Sequence, residues 1–185
     1  EGPLGIRFSV ADLSALGPNV LGRALPRERE IEVSHTIADD EPRFRFTAAH
    51  ELGHVVMHAK LSDEFREEAD RDFYERSIER EADRFAAAFL MPLPAFAATM
   101  QEASASASLE PHALLAGLRR GDAMLVAAFR EQILPTLCAR FGVSRSAAAY
   151  RFADIELATG DVAIPSERIA SLLMPRQHAE PPGRP

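Results

Sequence analysis

The chain is poor in several residue types, and each scarcity excludes a class of protein. Its 185 residues include no tryptophan, two tyrosines and a single cysteine, Cys138. One cysteine cannot form a disulfide within the chain, so a disulfide framework is excluded and a reducing cytoplasm is expected. No apolar run reaches the ~18–20 residues that span a bilayer, and no basic-then-apolar signal peptide opens the sequence. We therefore expect a cytoplasmic protein with no membrane partner.

The bulk composition predicts one globular domain, with at most a small addition. The chain has 46% hydrophobic residues and a formal net charge of −7 at pH 7. A chain of this length can bury a substantial core. The acidic balance argues against a dedicated nucleic-acid binder, which needs a basic face to bind phosphates. We expect Cys138 to be a small buried apolar residue; a thiolate that caps a metal is the alternative.

The most informative segment is Phe46–His58, which contains the motif His50-Glu51-x-x-His54. On an α-helix, residues four apart lie about 40° apart and one turn along the axis. Both imidazoles can then reach one tetrahedral Zn²⁺, and the glutamate can act on water as a general base. The neighbouring residues are mostly apolar, as in a central buried helix, where unpartnered polar groups are costly. The motif therefore predicts a zinc peptidase helix with Glu51 as the base.

A second segment, Ser77–Pro92, supplies a candidate for the third ligand. Its apolar residues recur at spacings of three and four, which predicts an amphipathic helix that Met91-Pro92 ends. A catalytic zinc keeps three protein ligands and one open position. Glu79 lies at the edge of the apolar face and fits the third position. Asp83, one turn further on, can accept a hydrogen bond from the free ring nitrogen of His50.

Two alternatives for the third ligand remain open. Glu81 lies about 200° around the helix from Glu79, so the two carboxylates cannot both face the metal. His58 lies about 12 Å along the axis from His50 if the helix is regular, which disfavours it.

Two blocks, Arg45–His54 and Glu79–Pro92, resemble the R-F-T-x-A-H-E-x-G-H and E-x-x-A-(N/D)-x-F-A-x-x-L-(L)-M-P blocks of the ImmA/IrrE family of metallo-endopeptidases. The resemblance covers roughly residues 18–157. It implies a gluzincin-like zinc-peptidase core with His50, His54 and Glu79 as ligands and Glu51 as general base.

The resemblance also implies a substrate class. Its characterised members cut a helix-turn-helix repressor at one site and so derepress a stress-response, mobile-element or defence operon. The densely charged stretch 62–76 before Glu79 departs from the family pattern and leaves the length of that loop open. We interpret this stretch as a solvated loop or helix face, with an acidic rim for a basic substrate as the alternative.

The segments around the motif predict a small sheet beside it. Ile6–Val10 and Ile31–Thr36 alternate apolar and polar residues and are predicted strands. By analogy with zinc peptidases, Ile31–Thr36 is the candidate strand that pairs with an extended substrate. Pro42 or an N-cap at Thr47 is expected to open the motif helix, which ends near Lys60.

The C-terminal part reads as helical. The low-complexity run Ala103–Ser108 predicts a connector and a subdomain boundary. Ile133–Phe141, a turn at Gly142, and a helix from Arg145 to about Leu157 form a helix-turn-helix-like pattern. We favour a structural helix pair over DNA contact through Arg145 and Arg151.

These inferences combine into one prediction. The fold class is α+β: a mostly helical zinc-peptidase core with a small β-sheet beside the motif helix, plus a C-terminal helix-turn-helix-like subdomain. The predicted division is residues 1–103 for the peptidase core, 104–160 for the helical subdomain and 161–185 for a C-terminal tail.

The predicted function is a zinc-dependent endopeptidase that acts on a helix-turn-helix repressor, with DNA binding at most secondary. The rival functions are a zinc-stabilised module that binds a repressor without cutting it, and a DNA-binding regulator. An endopeptidase also needs a donor for the oxyanion, which neither block supplies. The candidates for that donor are Tyr150, Arg151, Tyr74, His35 and His58.

Overall fold

The computed structural model describes residues 5–59 and 68–174, and these confirm the α+β class. Three short strands are followed by a helical chain. The strands are β1 (Arg7–Ala11), β2 (Gly22–Leu25) and β3 (Glu30–Ser34). The helices are α1 (Glu41–Met57), α2 (Glu68–Leu90), α3 (Leu93–Ser106), α4 (Pro111–Arg120), α5 (Ala123–Ala128), α6 (Leu134–Phe141), α7 (Arg145–Arg151) and α8 (Ser166–Leu173), with one π-helical turn, Phe129–Ile133, between α5 and α6.

The three strands form one sheet in the order β1-β3-β2. The central strand β3 pairs in parallel with β1 and antiparallel with β2. Its Ile31 and Val33 are buried against α1, whereas Glu32 pairs across the sheet with Arg23 at 2.7 Å. Ile31 and Val33 therefore lie on the same face of the strand, as the period of two requires.

One expectation about the sheet is wrong. The segment Ile31–Thr36 was the candidate for pairing with substrate, but β3 has a neighbouring strand on each side and its backbone groups are used. The two edge strands are β1 and β2, and β2 is the one that packs against Glu51 and Thr47 of α1. The sequence did not predict β2. Its four residues, Gly22–Leu25, include no β-branched side chain, so they carry no strand signal.

Helix α1 begins earlier than one of the two expected starts. Asp40 is its N-cap and accepts a hydrogen bond from the Arg43 backbone N–H, and Pro42 lies in the first turn. Thr47 is therefore not the N-cap, and His50 lies in the third turn of the helix. The helix ends at Met57, with His58 at its C-cap.

Helices α1 and α2 approach each other closely at Gly53. A Cβ atom at this glycine would lie 3.1 Å from Cδ1 of Phe85 and 3.3 Å from Cα of Ala82. The absent side chain therefore lets the backbones meet, and it sets which face of α2 looks at the histidines of α1.

Helix α3 contradicts the predicted connector. It continues through Ser106, and Ala103 and Ser104 are buried within it. Alanine is the best helix former, and small side chains fit between packed helices, so low complexity here reflects close packing. The predicted boundary at 103/104 falls inside this helix.

The segment α6–Gly142–α7 has the expected turn chemistry. Gly142 is left-handed at φ 60°, and the Ser144 hydroxyl accepts a hydrogen bond from the Ala147 N–H. Helix α7 ends at Arg151, not near Leu157 as predicted. Both helices pack into one hydrophobic cluster with α3 and α8, and a separate helix-turn-helix subdomain is not confirmed.

The segment predicted as a tail, 161–185, contains α8. Its Ile169 and Leu172 are buried in the same cluster, so this part packs on the core. The three-part domain division itself stays a prediction. Within the described residues, none of the helices combines the length and apolar character needed to cross a bilayer.

Candidate metal centre

Three donor atoms from two helices converge beside the sheet. Nε2 of His54 lies 3.1 Å from Nε2 of His50 and 3.4 Å from Oε1 of Glu79. Nε2 of His50 lies 3.2 Å from Oε2 of Glu79. Zinc–ligand bonds of about 2.0–2.1 Å give a tetrahedron with edges of about 3.3–3.4 Å. Two imidazoles and one carboxylate at this spacing fit one tetrahedral metal ion.

The second ring nitrogen of His50 has an acidic partner on α2. Its Nδ1 lies 2.9 Å from Oδ1 of Asp83, the pairing expected from the sequence. Burial lowers the pKa of His50, but the hydrogen bond to Asp83 and the nearby charges of Glu51, Asp83 and Glu79 outweigh it, and the pKa is raised. The protonated or metal-bound imidazole is therefore stabilised here.

His54 has a different environment. Burial, followed by the positive charge of His50, lowers the pKa of His54. Its Nδ1 faces Nδ1 of His58 at 3.0 Å, and no carboxylate contacts that nitrogen among the described residues. A neutral ring with a free Nε2 lone pair is the form that binds a metal.

Glu51 is nearly buried between α1 and β2. Burial raises its pKa from 4.5 to about 7; the charge of His50 opposes the shift, Glu79 adds to it, and the Ala24 N–H, which donates a hydrogen bond, lowers it slightly. A Cβ at Gly22 would lie 2.5 Å from Oε1 of Glu51 and 2.7 Å from Cγ2 of Thr47. Only a glycine lets β2 approach the carboxylate this closely. Sequence reasoning missed Gly22 and Ala24 because nothing local marks them.

Glu81, the alternative third ligand, lies elsewhere. Its Oε2 lies 3.2 Å from Nε2 of His58, and that histidine is almost fully buried. Among the residues that the structure describes, the group of His, Cys, Asp or Glu whose donor atoms lie within 4.8 Å of one another is His50, His54 and Glu79.

The predicted oxyanion donors are scattered. Arg151 is buried and its Nε donates to the Met91 carbonyl, and Nδ1 of His35 lies 3.3 Å from the Ala11 carbonyl. The side chain of Tyr74 lies outside the described residues. Tyr150 is half exposed and lines a cleft of about 790 Å³ together with Asp83.

The cleft lies between α1, α2 and α7 and reaches the metal centre at Asp83, whose carboxylate contacts Nδ1 of His50. Thr47 lies next to Gly22 of β2 on one side of the cleft, and Arg43, Arg84 and Tyr150 are among the other lining residues. Its volume is within the range of about 300–1,000 Å³ typical of ligand sites. A chain segment bound there would lie next to Asp83, and through Asp83 close to His50.

Comparison with known families identifies one matching family model. The family model of the IrrE N-terminal-like domain, Peptidase_M78, matches residues 17–153, well over half of the chain. A search of the curated proteins finds no match. The matched range includes β2, β3, both helices of the metal centre and the cleft wall formed by α7.

Proposed function

The chain belongs to the IrrE N-terminal-like peptidase family, and from that premise we propose that it is a zinc-dependent endopeptidase. His50, His54 and Glu79 bind the metal, and Glu51 is the general base. One observation carries the proposal: three donors from two helices are spaced at 3.1–3.4 Å, close to the edge of about 3.3–3.4 Å of a zinc tetrahedron. Nitrogen and carboxylate oxygen donors in this ratio suit zinc, which supports it as the metal.

The chemistry divides between the metal and the chain. Bound zinc supplies Lewis acidity toward the scissile carbonyl and the attacking water. The Glu51 carboxylate takes a proton from that water and later delivers it to the leaving amine. In the metal-free protein, burial raises the pKa of this carboxyl to about 7. The Ala24 N–H and the close approach of Gly22 hold the carboxylate in place.

Tyr150 is the favoured oxyanion donor among the predicted candidates. It lines the cleft beside Asp83, whereas Arg151 and His35 have hydrogen-bond acceptors away from the donors. The phenol O–H can donate to developing negative charge.

The proposed substrate is a helix-turn-helix transcriptional repressor that is cut at one site, so that a stress-response, mobile-element or defence operon is derepressed. Support comes from the resemblance of Arg45–His54 and Glu79–Pro92 to the ImmA/IrrE blocks. The cleft beside the metal centre is large enough to receive a segment of the repressor.

The direct test incubates the zinc-loaded protein with a helix-turn-helix repressor, sought first among the products of the neighbouring genes, and follows cleavage by denaturing gel electrophoresis and mass spectrometry. Glu51→Gln should keep zinc and lose about 10²–10⁴-fold in cleavage rate, because a positioned base contributes that much. Glu102→Gln, on an exposed position of α3, is the matched control and should cut normally. Undiminished cutting by Glu51→Gln would refute the base assignment.

Metal content is a separate measurement. Glu79→Ala should contain no zinc by elemental analysis. Full zinc occupancy in that variant would show that the third ligand is a residue other than Glu79. A repressor that binds the zinc-loaded wild type but is never cut would favour the non-catalytic binding module.

A further inference from the structure

His58 and Glu81 lie behind the metal centre, on the far side of His54. The His58 side chain is only 6% exposed, although it caps the end of α1. Its Nδ1 lies 3.0 Å from Nδ1 of His54, and its Nε2 lies 3.2 Å from Oε2 of Glu81. The three side chains form a continuous line from α1 to the outer face of α2.

The proton positions along this line follow from the donor and acceptor roles of imidazole. His54 can offer Nε2 to a metal only if its hydrogen is on Nδ1. That N–H must donate to Nδ1 of His58, which therefore carries its own hydrogen on Nε2. The second N–H then donates to the Glu81 carboxylate, and every polar atom in the line has one role.

We propose that His58 and Glu81 are positioning residues that hold His54 in its metal-binding tautomer and ring orientation. Carboxylate partners of this kind commonly orient metal-binding histidines. Here His50 contacts its carboxylate, Asp83, directly, whereas His54 reaches Glu81 through a second imidazole. The inference rests on the proposed function in one respect, that His54 binds the metal.

The same contacts disfavour a ligand role for His58, whereas a purely structural role has to be separated by experiment. A ligand role would need a ring nitrogen among the three converging donors, yet both of its nitrogens face other partners. A purely structural role would need only that a buried imidazole be hydrogen-bonded. The two roles differ in one measurable respect, because only a positioning residue changes metal affinity in a protein that remains folded.

Zinc affinity of the full chain, measured by competition with a chromophoric chelator, tests the proposal. His58→Ala should weaken zinc binding about 10–100-fold, the usual effect of removing such a partner. Glu81→Ala should weaken it less, because His58 stays in place; Glu81 is 56% exposed, so this variant should fold normally. His58→Asn keeps an acceptor near the position of Nδ1 and should recover much of the loss. Glu102→Ala is the exposed control.

A second readout needs no metal. Imidazole ¹⁵N NMR of the metal-free wild type should show His54 with its hydrogen on Nδ1 and His58 with its hydrogen on Nε2. Glu81→Ala should shift His58 toward a mixture of the two tautomers. This measurement separates the two proposals, because a protein that cuts no repressor can still show the predicted tautomers.

Two results would overturn the inference. If His58→Ala and Glu81→Ala leave zinc affinity unchanged and the tautomers differ from those expected, His58 is structural only. If His58→Ala abolishes zinc binding, His58→Asn does not restore it and Glu81→Ala has no effect, His58 is itself a ligand.

Discussion

The region around the metal centre and the helical region behind it differ in what they bury. Beneath α1, the described residues form a cluster of four buried apolar side chains, and Glu51 and His58 are buried nearby. The cluster from the end of α2 to α8 contains twenty buried apolar residues. Apolar burial is the dominant favourable term in folding, whereas buried polar groups cost free energy. Stability therefore comes mainly from the helical region, whereas the buried polar groups at the metal centre cost free energy on folding.

The largest expected effect on stability comes from truncating a buried side chain in the core of the helical region. Phe96 is 1% exposed, and its ring centre lies 5.0 Å from that of Phe152. Phe96→Ala should lower the free energy of unfolding by about 3–5 kcal/mol, measured by urea titration. Zinc affinity of the folded variant should stay within about twofold, since additivity holds for distant sites.

Phe89→Ala is the control for this change, because Phe89 is 57% exposed. Phe89→Ala should lower the free energy of unfolding by less than about 1 kcal/mol. A loss of zinc affinity in Phe96→Ala that matches the loss of stability would contradict the division into two regions.

The next effect has the opposite sign and is expected at the metal centre. Burial raises the pKa of Glu51 in the folded metal-free protein from 4.5 to about 7. The folded state then loses stability as the pH rises from about 4.5, and the full cost is present above about pH 7. Glu51→Gln removes the charge. The free energy of unfolding of the metal-free variant should therefore exceed that of the wild type by about 1–3 kcal/mol at pH 8 and by almost nothing near pH 4.

Thermal unfolding of the metal-free proteins across this pH range measures the difference. Glu102→Gln, which changes an exposed carboxylate, should show no such pH dependence. A wild type that is more stable than Glu51→Gln at pH 8 would mean that the site does not cost stability.

The smallest net effect on stability is expected where the two regions meet. Gly53→Ala gains about 1 kcal/mol in helix propensity, but its methyl group would press on Phe85 and the Ala82 backbone. Overpacking costs about 1–3 kcal/mol and offsets the gain, so the free energy of unfolding should change by no more than about 2 kcal/mol. Zinc affinity should nevertheless fall several-fold, because α2 carries Glu79 and must move outward. Unchanged affinity would show that the spacing of α1 and α2 does not set the site.

Local patterns were sufficient for much of the fold. The strand Ile31–Val33, the stop at Met91-Pro92 and the turn at Gly142 with its Ser144 cap were all predictable, because period, proline and capping chemistry act within a few residues. Strand β2 and the length of α3 were not, because pairing and packing with distant residues decide them.

The candidate site divides in the same way. The i, i+4 spacing of His50 and His54, with Glu51 between them, could be read from the sequence, and helix geometry then places both histidines on one face. The spacing of apolar residues along α2 favoured Glu79 over Glu81 as the third ligand, but it did not predict which residue Glu81 would contact.

The tertiary structure decided the remaining contacts. The close approach at Gly53 fixes the rotation of α2 against α1, so Glu79 faces the two histidines while Glu81 meets His58. Strand β2 packs on Glu51 through Gly22, a contact between residues far apart in the chain. The sequence by itself determined which donors one helix presents together, because their spacing is local. Their partners on other elements depend on how those elements pack, which only the folded chain specifies.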